Sequence, residues 1–407
     1  MSKTYRVLIA GMGKRGQHHA SAFSKNGRFE VVGISDPVPA QLDKVKALYP
    51  KAKAGADAAA LAKELKPDIF CFCTPPGIRM PLIKTGIESG AKLIAYEKPM
   101  AMSMTEALEI RKAVQAAGLK TVVAHQHRYG PHYSAVYDLI RSGAIGRVHT
   151  VYGTAVGWLM HLMTHLIDYM RSYTGNAEVE WVMAQAAGKG KFADNHPSPD
   201  YISGVLHFAG GIRGYVECGA GAPDVPEVDY WWRKNRVGAQ GTEGFAEALT
   251  GGGWRAITKD GPKSGGGAMD YEQDMAPYVA DMAAWLDDDK KVHPCDGEQA
   301  FKGIEVTMAL MRSVVERGQV KLPLGPGEPE VEALKKSMPE KPVILSIESS
   351  RNTPRWPPES AGLSTAGKPT VSTAAYPSCN ERAAAKRGWG TPASARRLRI
   401  ATLCVIR

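Results

Sequence analysis

The sequence predicts an α/β protein with an N-terminal doubly wound parallel sheet and a second, C-terminal α/β domain. Three observations point there. Short β-rich runs alternate with helical ones over the first 125 residues; the first strand runs directly into a glycine-rich turn that opens a helix; and beyond about residue 126 most strand-like runs alternate polar with apolar residues, as a sheet with one covered face does.

In order, YRVLIAG (5–11) reads as a strand, RGQHHASAFSKN as a helix, FEVVGISD (29–36) as a strand and PAQLDKVKALYP as a helix. PDIFCFCTPP (67–76) reads as a buried strand, IRMPLIKTGIESG as a helix, and AKLIAYEKP (91–99) as a strand. SMTEALEIRKAVQAAG follows as an amphipathic helix capped by Ser103, and KTVVAHQHRY as a strand carrying His125 and His127 on one face. Beyond it, the helix PHYSAVYDLIRSG and a series of sheet-like runs lead to two helices, APYVADMAAWLDD and GEQAFKGIEVTMALMRSVVERG. The boundaries expected are 1–125 for the first domain, 126–325 for the second and 326–407 for a C-terminal extension, disordered from about residue 352.

Composition narrows the class. Apolar residues are 44% and charged residues 23% of 407, ordinary for a globular protein. No apolar run approaches a membrane span and the N-terminus has no signal-like segment, so a cytoplasmic protein without a membrane partner is expected. Residues 351–407 hold ten Lys/Arg against two Asp/Glu, which accounts for +8 of the net +10. The basic excess therefore belongs to a Pro/Ser/Thr/Ala-rich tail without period, and no nucleic-acid partner is expected. The six cysteines form no Cys-x-x-Cys pair; Cys71 and Cys73 read as small core residues.

The turn GMGKRG has glycines 11, 13 and 16 in Gly-x-Gly-x-x-Gly spacing. Gly11 serves the tight turn, Gly13 a close approach of backbone to a pyrophosphate, and Gly16 the packing of helix on strand, with Met12, Lys14 and Arg15 completing the loop. Asp36 follows 25 residues after Gly11, at the end of the second strand, where a carboxylate can accept from both ribose hydroxyls. This is a Rossmann dinucleotide site that favours NAD over NADP, because Asp36 would repel a 2′-phosphate and no basic residue follows it, while Lys14 and Arg15 in the loop leave NADP open. Thr74 and Pro75 end the third strand read here and Glu97, Lys98 and Pro99 the fourth, all facing the crevice beyond the carboxyl ends of the strands. Lys98 is either a solvated surface residue or, with a pKa lowered by burial, a proton acceptor.

WLMHLMTHLIDY (158–169) places His161, His165 and Asp168 on one face of a helix. The His-x-x-x-His spacing suits zinc, but no Glu follows His161 and no third ligand is evident, so no metal is expected. Tyr230, Trp231, Trp232 and Arg233 supply either a sugar-stacking surface or core and interface aromatics.

GMGKRG, Asp36, TPP, YEKP and HQHRY, followed by the helix with His165 and Asp168, resemble the Gfo/Idh/MocA family of glucose-fructose oxidoreductases and inositol dehydrogenases over residues 4–324. The resemblance implies a Rossmann domain followed by an α/β domain with a largely antiparallel sheet, a homodimer or homotetramer, and hydride exchange between nicotinamide and a hydroxyl-bearing carbon of a sugar, sugar derivative or cyclitol. It implies Lys98 and His165 as catalytic residues and Gln126 beside the nicotinamide. His161, Asp168, Arg128, Trp158 and Tyr230 are placed with the substrate. His161 stands where the family usually has Asp. Two further readings stay open: an NAD-dependent glycosidase that oxidises, eliminates, hydrates and reduces, and a non-catalytic NAD-binding regulator.

Overall fold

The computed structural model describes residues 3–189, 192–228 and 233–339. Tyr230, Trp231, Trp232 and the basic tail lie outside these. The first sheet is built from β1 (Tyr5–Ala10), α1 (Lys14–Lys25), β2 (Phe29–Ser35), α2 (Pro39–Val45), β3 (Lys53–Gly55), α3 (Ala58–Leu65), β4 (Ile69–Phe72), α4 (Arg79–Glu88), β5 (Leu93–Glu97), α5 (Met104–Ala116) and β6 (Lys120–Ala124). All six strands pair in parallel, in the order β3-β2-β1-β4-β5-β6. This is the doubly wound order whose crevice opens beyond the carboxyl ends of β1 and β4. The sequence reading passed over residues 53–65, because the three-residue edge strand β3 is too short to show a period.

The second sheet follows α6 (Pro131–Arg141). Its elements are β7 (Val148–Ala155), α7 (Thr164–Tyr173), β8 (Val179–Ala187), β9 (Tyr201–Phe208), β10 (Arg213–Cys218), β11 (Asn235–Gly241), β12 (Gly244–Leu249), β13 (Gly253–Thr258), β14 (Gly261–Gly265), α8 (Tyr271–Asp287), α9 (Gly297–Glu316), β15 (Val320–Lys321) and α10 (Glu330–Ser337). The nine strands run β14-β13-β12-β11-β7-β10-β9-β8-β15, antiparallel except for β10 beside β7. Leu166 and Met170 of α7 and Leu310 of α9 pack against Gly153, Gly204 and Gly214 on one face. The other face leaves Met183, Val205 and Tyr215 exposed. Helix α8 returns to the first sheet: Met275, Tyr278, Val279 and Met282 are buried in one cluster with Val7, Ile9, Phe23 and Ile69. Among the described residues no helix is long and apolar enough to cross a membrane.

Two local readings are corrected. Strand β6 stops at Ala124, its last partner being Glu97, because Pro99 beyond β5 has no N–H to extend the ladder. Residues Gln126–Tyr129 then form a 3₁₀ turn, so His125 and His127 do not share a strand face. The histidine segment is also not one regular helix. Leu159–Met163 is a π turn and α7 begins at Thr164, so His161 and His165 lie on different helical geometries.

Candidate active site

The glycine turn is shaped as its spacing requires. Gly11 has φ +85°, and a Cβ there would lie 2.4 Å from the Cys73 carbonyl oxygen; one on Gly16 would lie 1.8 Å from the Gly11 oxygen. A Cβ on Gly13 meets nothing within 4 Å, so that glycine keeps space open rather than relieving a contact. Gly13 caps α1 without a side-chain bond, and the first turn holds no acid. The helix N-terminus thus offers N–H groups and a positive dipole end to an anion, which fits a dinucleotide pyrophosphate. Asp36 is 7% exposed and accepts from the Met12 N–H at 2.7 Å and the Val38 N–H at 2.9 Å, fixing the turn beside the end of β2.

A cleft adjoins this turn and is lined by Arg15, Lys98, Gln126, His127, His161 and His165, among others. Lys98 projects from the end of β5, and its ammonium donates to the His161 backbone carbonyl at 3.3 Å. Burial lowers its pKa to about 8; Glu97 opposes that shift, while Arg15 and Arg79 reinforce it. Burial would raise Glu97, but its bond to His19 (3.2 Å) and the charges of His19, Arg15 and Lys98 hold it at about 2. Burial disfavours a charged His19, yet contacts with Cys73 and Glu97 outweigh it and raise the imidazole to about 10. The two are a buried ion pair of zero net charge.

His165 is lowered well below the usual histidine range by burial, then by His125, Lys98, His127 and His161. Its ring meets His125 edge-on at 5.1 Å, and its Nδ1 is buried without a partner. His161 is lowered by burial and by Lys98, and its ring lies 4.6 Å from that of His196. Both imidazoles are therefore neutral near pH 7.

The expected site residues divide. Gly11, Met12, Gly13, Lys14, Arg15, Gly16 and Asp36 meet at the glycine turn, and Glu97, Lys98, Gln126, His161 and His165 line the cleft. Thr74 turns its carbonyl and hydroxyl to Arg79, with Pro75 next in the chain. Asp168 and Arg128 do not line the cleft. They pair at 3.4 Å, Arg128 also donating to the Pro294 carbonyl at 2.7 Å, so this pair ties α7 to the turn after β6. Trp158 is buried ahead of the π turn and is not a lining residue.

Asp274, Tyr271 and Arg79 escaped the sequence reading, and His127 was read there only as a residue of a strand face. His127 Nδ1 lies 2.7 Å from Asp274 Oδ2, both buried. Burial and Asp270 raise Asp274 to about 8, while burial and Arg15 lower His127 to about 3, so around neutrality the pair is uncharged with its proton on the carboxyl side. Tyr271, at the start of α8, stacks under the Arg15 guanidinium at 3.9 Å and meets His127 at 4.7 Å. Arg79 is wholly buried beneath the turn after β5 and donates to the carbonyls of Thr74, Lys98 and Pro99. Only Asp274's place after a glycine-rich run, four residues beyond the helix-capping Asp270, could have drawn notice. Among the described residues, the three-ligand cluster able to take a metal is His19, Cys71 and Cys73, apart from the helix histidines.

A doubly wound sheet with this phosphate turn, facing a cleft that holds a half-buried lysine and neutral imidazoles, defines a nicotinamide-dependent oxidoreductase. Residues 5–125 match the oxidoreductase family with NAD-binding Rossmann fold, and residues 153–247 the GFO/IDH/MocA C-terminal domain. The chain belongs to the Gfo/Idh/MocA family and is an NAD(P)-dependent oxidoreductase. It is 24% identical to the inositol 2-dehydrogenase of Rhizobium meliloti over 336 residues, covering 78% of this chain and 99% of that one. It is 30% identical to the uncharacterised protein y4oX of Sinorhizobium fredii over 267 residues, 60% of this chain and 72% of the relative. The crystal structure of an oxidoreductase from Agrobacterium radiobacter, in complex with NAD+, L-tartaric acid and magnesium, superposes with a TM-score of 0.67 at 16% identity, over 78% of this chain and 98% of that one.

Proposed function

We propose that the protein is an NAD-dependent dehydrogenase of a sugar, sugar derivative or cyclitol, with Lys98 as the proton acceptor. The observation that carries this is a lysine whose pKa burial brings to about 8, set in the same cleft as His165 and beside the phosphate turn. When bound, the nicotinamide supplies the acceptance and return of a hydride. The chain's own part is positional and electrostatic. Neutral Lys98 takes the hydroxyl proton at Nζ; the His161 carbonyl fixes the direction of that side chain; His165, neutral and with a free Nδ1, holds the same hydroxyl or passes its proton on. Asp168 acts through Arg128, anchoring the middle of α7, rather than by touching substrate.

Asp36, already anchored by two backbone N–H groups at the end of β2, supports NAD over NADP, since a 2′-phosphate would meet a fixed carboxylate. The exposed face of the nine-stranded sheet, with Met183, Val205 and Tyr215, supports a homodimer or a tetramer built from it. Light scattering on the purified chain would give the protomer number. The test of the catalytic reading is a pair of variants. Lys98→Ala and His165→Ala should each lower kcat by roughly two orders of magnitude or more while NAD affinity stays near wild type. Full activity in both would overturn it.

A further inference from the structure

The charges around the cleft do not balance. Glu97 is the single acid among its lining residues, and it is already paired with the buried His19. Asp274 faces His127, another lining residue, and is held uncharged there, and Asp168 is paired with Arg128. Against these stand three cations. Arg15 lines the cleft beside Tyr271, Lys98 projects into it, and Arg79 lies wholly buried beneath, its guanidinium bonded to the carbonyls of Thr74, Lys98 and Pro99. Among the described residues none of the three has a carboxylate within ion-pair distance, and a buried cation without one costs free energy. Lys14 and Arg15 stand at the start of α1, where a pyrophosphate would take up their charge; Arg79 and Lys98 remain. On the opposite wall, His165 is 8% exposed, lines the cleft, and keeps a buried Nδ1 without a partner, and His161 adds a second imidazole. A neutral imidazole can donate an N–H to an anion, whereas no lining carboxylate is free to accept from a ring of sugar hydroxyls.

Resting on the proposed dehydrogenase reading, we infer that the substrate carries a carboxylate: a uronate, an aldonate or a comparable hydroxy acid, drawn in by the uncompensated charge of Arg79 beneath the cleft and held by N–H groups of His161 and His165, in preference to a neutral sugar or cyclitol. The carboxylate supplies the negative charge the cleft lacks and leaves Lys98, in its neutral form, to accept the proton of the hydroxyl to be oxidised.

The test uses the intact protein saturated with NADH, so that no turnover occurs, and measures binding by calorimetry of D-glucuronate, its methyl ester and D-glucose, and of D-galacturonate and D-galactose. The acids should bind at least tenfold tighter than the ester and the neutral sugars, and the advantage should shrink as salt is raised. His161→Asp sets a carboxylate into the cleft wall. It should weaken binding of the acids at least tenfold more than it weakens binding of their neutral partners. Acids binding no tighter than their neutral partners, including no binding of either, overturn the inference, as does an undiminished acid preference in His161→Asp. Failure of NADH itself to bind would overturn the dehydrogenase reading as well, which separates the two.

Discussion

The buried guanidinium of Arg79 should set the pH at which the enzyme works. Burial, Arg15 and Arg79 together bring Lys98 from 10.5 to about 8. At pH 7 a lysine of pKa 8 is neutral in about one molecule of ten, against roughly three in ten thousand for an ordinary lysine, a gain of about 300-fold in competent base. Arg79 donates to the Lys98 carbonyl at 3.4 Å. With a lysine side chain between that carbonyl and the ammonium, the two charges lie roughly 10 Å apart, and at an effective dielectric of about 20 their repulsion is about 1.7 kcal/mol, or about one pH unit. Solvent in the cleft makes this an upper figure, because Lys98 is partly exposed. Neutral lysine is the proton acceptor in the oxidation direction, so kcat/KM should rise with pH through about 8 and level off above it. Arg79→Met removes the repelling charge and should carry this limb up towards 9; Arg79→Lys keeps the charge, loses part of the hydrogen bonding, and should leave the limb in place. The assay is NADH formation at 340 nm from pH 6 to 10, with each variant's unfolding checked by circular dichroism. A limb unmoved by Met, or moved equally by Lys, would refute the electrostatic role and leave Arg79 a brace for the turn.

Gly13→Ala should fold like wild type, since its Cβ meets nothing within 4 Å, with Tm changed by no more than about 1 °C; NAD affinity should fall at least about tenfold, because the methyl enters the space kept for the pyrophosphate. Fluorescence titration beside a thermal melt reads both, and tight NAD binding would remove Gly13 from the site. NAD should bind at least about tenfold tighter than NADP by calorimetry, and equal affinities would remove Asp36 from the ribose. Asp274 is raised from 3.8 to about 8 in the fold, so it contributes stability below pH 4 that is lost as pH rises through about 8. The Tm of wild type minus that of Asp274→Asn should therefore fall between pH 5 and pH 9, and a difference independent of pH would show that Asp274 ionises normally.

The parts of the site written in local sequence were legible. The glycine turn is one, because the carbonyls of Gly11 and Cys73 exclude a Cβ at two of its three glycines and the third borders open space. The parallel order of the first sheet is another: strand, turn and helix repeat within thirty residues, and right-handed crossovers leave few alternatives. The name-giving features of the family were readable for the same reason. What sequence could not show is pairing at a distance. His127 and Asp274 are 147 residues apart and meet only because α8 leaves the second sheet and packs on the first. Arg79 carries no mark either, since its acceptors are backbone carbonyls, which every residue owns. The π turn also hides, because its apolar spacing is that of an ordinary helix.

That turn matters to the chemistry more than its length suggests. Had residues 158–169 formed one α-helix, His161 would continue the face that carries His165 and Asp168. The π geometry changes the register of His161 alone, since His165 and Asp168 both lie in α7. It hands the His161 carbonyl to Lys98, while Asp168 is turned to Arg128, outside the cleft lining. The first effect gives a neutral acceptor to the ammonium, one that orients it without adding the charge that would restore its ordinary pKa; the second removes an acid that would do so. Glu97 and Asp274, the remaining acids nearby, are each held by a histidine. Four separate elements, β5, the π turn, α1 and α8, thus converge on the same electrostatic condition around Lys98: hydrogen bonding without uncompensated negative charge. A lysine kept in that condition is a base near neutral pH, and the cleft around it is left one negative charge short.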